Sequence, residues 1–262
     1  MSKRKPGEWW DKSWSVVTGC TPAGAGCDHC WARSLVTRFP VAHATEPSMF
    51  GARDARVQFS DVVCHPERLD EPLRRRKPTI YAVSLLGDLF HEQVPTGFVQ
   101  QVIDKARSAI GHRFVFLTKR PERVRHTWEW DRLPCANIIV MASAWDQPST
   151  DAACAALSAV PGLRWGLHLE PLLSPVDLDL ARDKCHPANP FPAWIVAGGE
   201  NGPGARPCDP RWIRALRTIS KCSGVPFWFK GPGSKVLLHG LGPSTSEADM
   251  IAGLEQTREV PW

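Results

Sequence analysis

Short apolar runs alternate with helix-like stretches along most of the chain, and this pattern predicts an α/β fold. The runs are rich in β-branched and aromatic residues and poor in charge, which is typical of strands buried on both faces of a parallel sheet. The stretches between them carry apolar residues at helical spacing. The predicted strands are 14–17, 80–83, 114–117, 138–141, 163–167, 194–197 and 227–229, and the predicted helices are 28–39, 66–76, 96–110, 121–128, 150–160 and 209–222.

Seven strand units in one chain of 262 residues favour a single barrel-like domain. A (β/α) barrel typically takes about 250 residues. We therefore predict a partial (β/α) barrel of about six to seven parallel strands, in one domain over 1–262. The proline-rich segment 174–192 predicts an irregular crossover with at most one short helix, and 57–59 predicts a short strand. At the end of the chain, Trp262 is expected to pack back onto the barrel.

The overall composition is that of an ordinary globular protein with a sizeable core. Hydrophobic residues make up 43% and charged residues 23% of the chain. The net charge of +5 includes basic clusters at 3–5, 74–77 and 119–125, which permit contact with phosphate. Most of the twelve tryptophans are expected in the core, and exposed ones beside basic residues could stack on unpaired bases.

The nine cysteines indicate a reducing compartment. An odd number argues against a complete disulfide framework, and the sequence has neither a signal peptide nor an apolar run long enough to span a membrane. We therefore expect a cytoplasmic protein without a membrane partner.

Three of the cysteines lie close together on a loop after the first predicted strand. Cys20, Cys27 and Cys30 fall within eleven residues, and the glycines between them disfavour regular structure. Closely spaced thiols in a reduced protein indicate a metal site. A structural zinc site requires four protein ligands, whereas an iron-sulfur cubane held by three thiolates leaves one iron open. The residues alone leave both possibilities open.

Polar residues follow the predicted strands at the end where each strand finishes. In an α/β barrel these positions converge on one mouth and form the active site. A single residue of this kind is commonly a helix cap or a solvated charge, but successive strand ends favour a shared site. The residues concerned are Cys20, Ser84, Asp88, Thr118, Lys119, Arg120, Ser143, Glu170, Gly198, Gly199, Glu200 and Lys230.

Several motifs together resemble a known family. They are TGC-x6-C-x2-C at 18–30, GDLFH at 87–91, LTKRP at 117–121, LEPLL at 169–173, GGENGP at 198–203, and Phe229 with Lys230. In this order they are similar to a phage-associated, radical-SAM-like family of formerly unknown function, over about 14–233. The resemblance implies a radical-SAM-like barrel over 14–233 followed by a C-terminal tail at 234–262. The usual cysteine spacing of radical SAM enzymes is C-x3-C-x2-C, so the loop here is three residues longer.

The resemblance also implies a cofactor and a set of residue roles. Cys20, Cys27 and Cys30 would hold a 4Fe-4S cluster whose open iron binds S-adenosylmethionine (SAM), the source of a 5'-deoxyadenosyl radical. The residues expected near SAM are Ser84, Asp88, Ser143, Gly198, Gly199 and Glu200. Those expected to serve the substrate and its chemistry are Lys119, Glu170, Arg206 and Lys230.

The phage association of the family suggests the substrate and the setting. We expect an isomerase that rearranges an amino-acid-modified thymine, as free nucleotide or in DNA, during phage DNA hypermodification. An electron donor would be needed to reduce the cluster, and the reaction would take place in the cytoplasm of a bacterial host.

Two other hypotheses compete with this prediction. One is a zinc-stabilised nucleic-acid-binding module without catalysis, in which His29 or Cys64 supplies the fourth ligand. The other is a thiol enzyme in which Cys20 or Cys30 is the nucleophile and a histidine is the base. The second leaves two clustered thiols unexplained.

Overall fold

Seven parallel strands form one curled sheet, a half-barrel, in a computed structural model that describes residues 7–38, 58–127, 135–237, 254 and 257–262. The predicted partial (β/α) barrel is confirmed. The sheet order is β1-β4-β5-β6-β7-β8-β9, and β2 and β3 form a separate antiparallel pair. The strands are β1 (Lys12–Trp14), β2 (Val17–Thr18), β3 (Val63–Cys64), β4 (Ile80–Val83), β5 (Arg113–Thr118), β6 (Ile138–Ala144), β7 (Trp165–Leu169), β8 (Ile195–Gly198) and β9 (Phe227–Gly231).

The helices connect successive strands and cover the convex face of the sheet. They are α1 (Trp31–Arg38), α2 (Thr96–Ser108), α3 (Pro121–Thr127), α4 (Gln147–Ser158), α5 (Leu178–Arg182) and α6 (Pro210–Cys222). The predicted helices at 96–110, 121–128, 150–160 and 209–222 are confirmed within three residues at each described end. The crossover at 174–192 contains one short helix, as predicted. Among the helices described, none is long and apolar enough to cross a bilayer.

Three predictions in the first third of the chain were wrong in detail. The first sheet strand is β1, and Val17 pairs with Cys64 in the antiparallel pair instead. The predicted helix at 66–76 is a single 3-10 turn at Pro66–Arg68 followed by turns, because Pro72 cannot donate a backbone hydrogen bond within a helix. Residues 58–59 of the predicted strand are not extended in a sheet, and residue 57 lies outside the described residues.

Alternation along the strands divides the core into two layers. Side chains such as Phe114, Phe116 and Val140 point outward and pack against the helices. The opposite face, which lines the inside of the half-barrel, is filled at its amino-terminal end by Trp9, Trp194 and their neighbours. The polar strand ends therefore lie above an apolar plug.

The last residues of the chain return to the sheet. Phe229 donates its backbone N–H to Thr257 O at 2.9 Å, and Glu259 donates to Phe227 O at 3.0 Å. Trp262 then packs against the inner cluster below the Arg164 guanidinium, 4.5 Å from the ring centroid. The prediction that Trp262 packs onto the barrel is confirmed.

Candidate functional site

The cysteine loop, residues 19–30, lies over the carboxyl ends of the parallel strands. Its first residues are fixed by backbone contacts, because Gly19 donates to Leu86 O at 2.9 Å and Cys20 donates to Phe59 O at 2.7 Å. A Cβ on Gly87 would lie 2.9 Å from Gly19 O, so this approach requires glycine. The first of the three cysteines, Cys20, is therefore held in a fixed position at the mouth.

A buried ion pair holds the start of the loop from below. Both side chains, Asp88 and Arg120, are 5% exposed, and they approach to 3.5 Å. The Asp88 carboxylate also accepts hydrogen bonds from the Thr118 hydroxyl at 2.9 Å and the Lys119 N–H at 3.0 Å. Arg120 donates to the carbonyl and hydroxyl oxygens of Thr21, both at 3.0 Å. Asp88 is thus engaged within the protein and orients Arg120 toward the loop.

Two of the three sulfur atoms receive hydrogen bonds from N–H groups. Arg120 Nη1 lies 3.5 Å from Cys20 Sγ, and the backbone N–H of Ala23 lies 3.4 Å from Cys27 Sγ. Burial and the neighbouring Asp88 carboxylate raise the pKa of the Cys20 thiol to about 11, although Arg120 opposes this. A thiol with so high a pKa is a poor nucleophile at neutral pH. This counts against Cys20 as the nucleophile of a thiol enzyme.

A second network fastens the other end of the loop to the end of β8. Glu200 accepts hydrogen bonds from Arg206 Nε at 2.9 Å and lies 3.0 Å from His29 Nδ1. Arg206 also donates hydrogen bonds to Asp28 Oδ2 at 3.0 Å and to Ala25 O at 2.8 Å. Burial opposes ionisation of Glu200, but the hydrogen bonds from Arg206 and His29 hold its pKa at about 2. Arg206, expected near the substrate, therefore holds the cysteine loop.

Trp145 lies directly beneath the loop. A Cβ on Gly24 would lie 2.4 Å from the indole ring of Trp145, and one on Gly26 would lie 2.5 Å from it. The two glycines therefore allow the loop backbone to lie flat on the ring. Trp145 follows β6 directly, so it places its ring under the loop at the carboxyl end of that strand.

Several strands end in polar side chains that face the inside of the half-barrel. We call this row of side chains the inner wall; it consists of Lys119, Ser143, His168, Glu170 and Lys230. Ser143 and His168 are partners in the register of β6 and β7, so they face the same side of the sheet. Glu170, two residues after His168, forms an ion pair with Lys230 at the end of β9. Burial and the ammonium groups of Lys230 and Lys119 hold the pKa of His168 well below its usual range. The imidazole is thus neutral at physiological pH.

Ser84 differs from its neighbours in two respects. Its φ of 55° is in the left-handed region of backbone conformation, which residues other than glycine seldom adopt. Its hydroxyl is buried and has no hydrogen-bond partner among the residues that the structure describes. Strain together with an unpaired polar atom is typical of ligand-binding positions.

Gly198 and Gly199 allow the end of β8 to pack closely against the end of β9. A Cβ on Gly199 would lie 2.1 Å from Pro232 O, and one on Gly198 would lie 3.1 Å from Gly231 O. Both positions thus face the backbone that follows β9. The two glycines, which were expected near SAM, therefore contact the chain itself.

Whether the three cysteines can hold an iron-sulfur cluster depends on the number and arrangement of their thiol donors. Each thiolate of a cubane binds a different iron, so the sulfurs surround the cluster instead of meeting at one point. N–H groups already point at Cys20 and Cys27, as they do toward coordinating thiolates. In the parts of the chain that the structure describes, no three His, Cys, Asp or Glu side chains form a site for a single ion. Cys20, Cys27 and Cys30 provide three thiol donors, the number that a cubane with one open iron requires.

The mouth brings the predicted residues together in three groups. Asp88 lies under one end of the loop, Glu200 and Arg206 lie at the other end, and the inner wall carries Lys119, Ser143, Glu170 and Lys230. Two residues were missed by the sequence analysis. His168 could have been found by two-residue periodicity, since it lies two positions before Glu170. Trp145 has no local signal, because its role depends on a loop more than a hundred residues earlier.

A family model described as "Protein of unknown function (DUF5131)" matches residues 5–248. No curated protein and no solved structure matches the chain significantly. Because the family match covers most of the sequence, the chain belongs to the family described as Protein of unknown function (DUF5131).

Proposed function

We propose that this protein is a radical SAM enzyme. The observation that carries the proposal is the position of the cysteine loop. Cys20, Cys27 and Cys30 lie on one glycine-rich loop across the mouth of a parallel half-barrel, with N–H groups pointing at two of their sulfurs. The three thiolates would hold a 4Fe-4S cluster. When bound, the cluster supplies an electron that cleaves SAM to a 5'-deoxyadenosyl radical.

The surrounding residues position the reactants. The Asp88–Arg120 pair and the Glu200–Arg206 pair fix the two ends of the loop and so hold the thiols in place. Among the described residues the Ser84 hydroxyl has no partner, so it is available to a polar group of SAM. Trp145 supports the loop where Gly24 and Gly26 lie against its ring. The inner wall, with Lys119, Ser143, Glu170 and Lys230, would contact the substrate.

The substrate of the proposed reaction is a modified pyrimidine. We base this on the motifs shared with the phage-associated family: the enzyme would isomerise an amino-acid-modified thymine in phage DNA hypermodification. It would require an electron donor and act in the bacterial cytoplasm. A charged amino-acid group suits an inner wall that carries both ammonium and carboxylate groups.

Anaerobic reconstitution with iron and sulfide tests the proposal. The wild-type chain should bind about four irons, become brown, and produce 5'-deoxyadenosine from SAM after reduction. Cys20→Ala, Cys27→Ala and Cys30→Ala should each lose most of the iron and all cleavage. Cys222→Ala, which removes an exposed thiol of α6, is the matched control and should behave as wild type.

Two results would contradict the proposal. One is a colourless wild-type protein without SAM cleavage, in which Cys27→Ala changes nothing. The other is about one zinc per chain with no iron, which would support the nucleic-acid-binding module instead. Urea denaturation of each variant shows whether it is as stably folded as wild type, so that a loss of iron can be distinguished from unfolding.

A further inference from the structure

We infer that the inner wall at the level of His168 is a binding site for a carboxylate group of the substrate. The inference rests on the proposed function in that it assigns the ligand to the substrate of the same mouth. The binding itself, however, is a property of the chain without its cluster.

The first support is an unpaired imidazole in a buried position. His168 is 6% exposed, and within the part of the chain that the structure describes neither ring nitrogen has a hydrogen-bond partner. Its closest carboxylate oxygen, on Glu170, lies 3.5 Å from Nε2 and is already paired with Lys230. A neutral imidazole offers one N–H donor and one acceptor, and leaving both unpaired in a buried site is costly. A ligand inside the half-barrel would satisfy the donor.

The second support is the direction in which His168 points. Its register partners are Ser143 on β6 and Val196 on β8. Val196 belongs to the inner cluster with Trp9, whose ring lies 6.5 Å from that of His168. The imidazole therefore faces the inside of the half-barrel, toward the mouth and away from the helices.

The third support is the charge of the wall. Glu170 neutralises Lys230, and the Lys230 ammonium also lies 5.5 Å from the Trp10 ring centroid. Within the described residues, Lys119 forms no ion pair. Its positive charge contributes to the low pKa of His168. Two ammonium groups against one carboxylate leave a net charge of +1. This excess suits a monoanion such as a carboxylate better than a phosphate dianion.

Part of the wall reaches solvent. The side chains of Glu170 and Lys230 are 12% and 23% exposed, so they reach solvent at the mouth, while Ser143 is 9% exposed. A carboxylate in this position would accept hydrogen bonds from Lys119, Ser143 and the His168 N–H. These three donors come from the ends of three neighbouring strands, β5, β6 and β7.

The test uses propionate and its neutral isostere propionamide on the full-length chain before iron is added. Histidine-selective NMR follows the His168 ring, identified by its absence from His168→Gln. Propionate should shift this signal saturably, whereas propionamide and inorganic phosphate should bind at least about tenfold more weakly. Lys119→Gln should weaken propionate binding at least about tenfold, and Lys119→Arg should retain it. Lys77→Gln, on the exposed surface, is the matched control and should leave binding unchanged.

Equal responses to propionate and propionamide would overturn the inference, as would undiminished binding by Lys119→Gln. Displacement of propionate by saturating SAM would overturn the assignment to the substrate, because SAM carries a carboxylate of its own. Since no iron is present, failure of the cluster to assemble would refute the proposed function without affecting this measurement.

Discussion

At the scale of single residues, the mouth contains polar groups of two kinds. Asp88 and Glu200 have their oxygens engaged by protein donors, and each orients an arginine toward the cysteine loop. Ser84 and His168 are buried and have no hydrogen-bond partner among the described residues. The first kind maintains the structure of the loop, and we propose that the second kind binds ligands. Unpaired buried groups reduce stability, so their presence at the mouth is a sign of function.

The engaged carboxylate of Glu200 predicts an acid-sensitive stability. Its pKa of about 2 in the folded chain is below the value of about 4.3 in an unfolded chain. The unfolded state therefore binds the proton first, so this contribution is complete above about pH 4.3 and is lost as the pH falls toward 2. Glu200→Gln should lower the free energy of unfolding at pH 6 by about 2 kcal/mol.

Urea denaturation of wild type and Glu200→Gln at pH 6 and at pH 3 measures this effect. The difference between the two proteins should shrink at the lower pH. Asp183→Asn, at an exposed position after α5, should match wild type at both. A difference that is constant with pH would show that the Glu200 charge contributes nothing.

At the scale of elements, the cysteine loop has no regular structure of its own beyond one 3-10 turn at Ala25–Cys27. Its shape comes from contacts with the ends of β4, β5, β6 and β8. Trp145 is the surface on which it lies, and glycines make the contact possible. The longer spacing between Cys20 and Cys27 is therefore accommodated by a loop that is supported along its length.

This support predicts a sharp effect of Gly26→Ala. The added methyl group would lie 2.5 Å from the Trp145 ring, so the loop must move away from its support. Because Gly26 has no positive φ, the effect is steric. Iron content after reconstitution should fall at least several-fold, while the free energy of unfolding should fall by about 1–3 kcal/mol.

Gly97→Ala is the matched control, because nothing lies within 4 Å of a Cβ at that position in α2. It should load iron as wild type does and gain up to about 1 kcal/mol of stability. Gly26→Ala protein with full iron content would contradict the role assigned to Trp145.

At the scale of the whole molecule, the inside of the half-barrel changes from apolar to polar along its length. Trp9, Trp194 and Trp262 close the amino-terminal end, and the polar wall faces the mouth. The open edge at β9 is covered by residues 257–259, which contribute backbone hydrogen bonds to Phe227 and Phe229. Closure by the end of the chain keeps water out of the inner layer from below.

Trp262→Ala should therefore destabilise the fold without altering the mouth. Loss of ring contacts with the inner cluster and with Arg164 should lower the free energy of unfolding by about 2 kcal/mol, as measured by urea denaturation. Trp31→Ala, which removes a ring that is 54% exposed, should change it by less than about 0.5 kcal/mol. Equal effects of the two substitutions would contradict the closing role of Trp262.

Local pattern was enough to predict most of the sheet and its helices. The strands β4 to β9 are mostly buried apolar runs, so their hydrophobic pattern identified them within a few residues. It failed near the start of the chain, where β2 and β3 pair across more than forty residues. A two-residue strand has almost no local signal, because its stability comes from its partner.

The sequence by itself determined the α/β class, the parallel sheet and the end of the sheet to which the cysteines and polar residues belong. These properties follow from side-chain periodicity, which is local. Only the tertiary structure decided which polar residues are engaged and which are unpaired. Arg206 and Asp88 hold the loop, whereas Ser84 and His168 have no hydrogen-bond partner in the described part of the chain. Hydrogen-bond partners come from distant parts of the chain, and periodicity does not encode them.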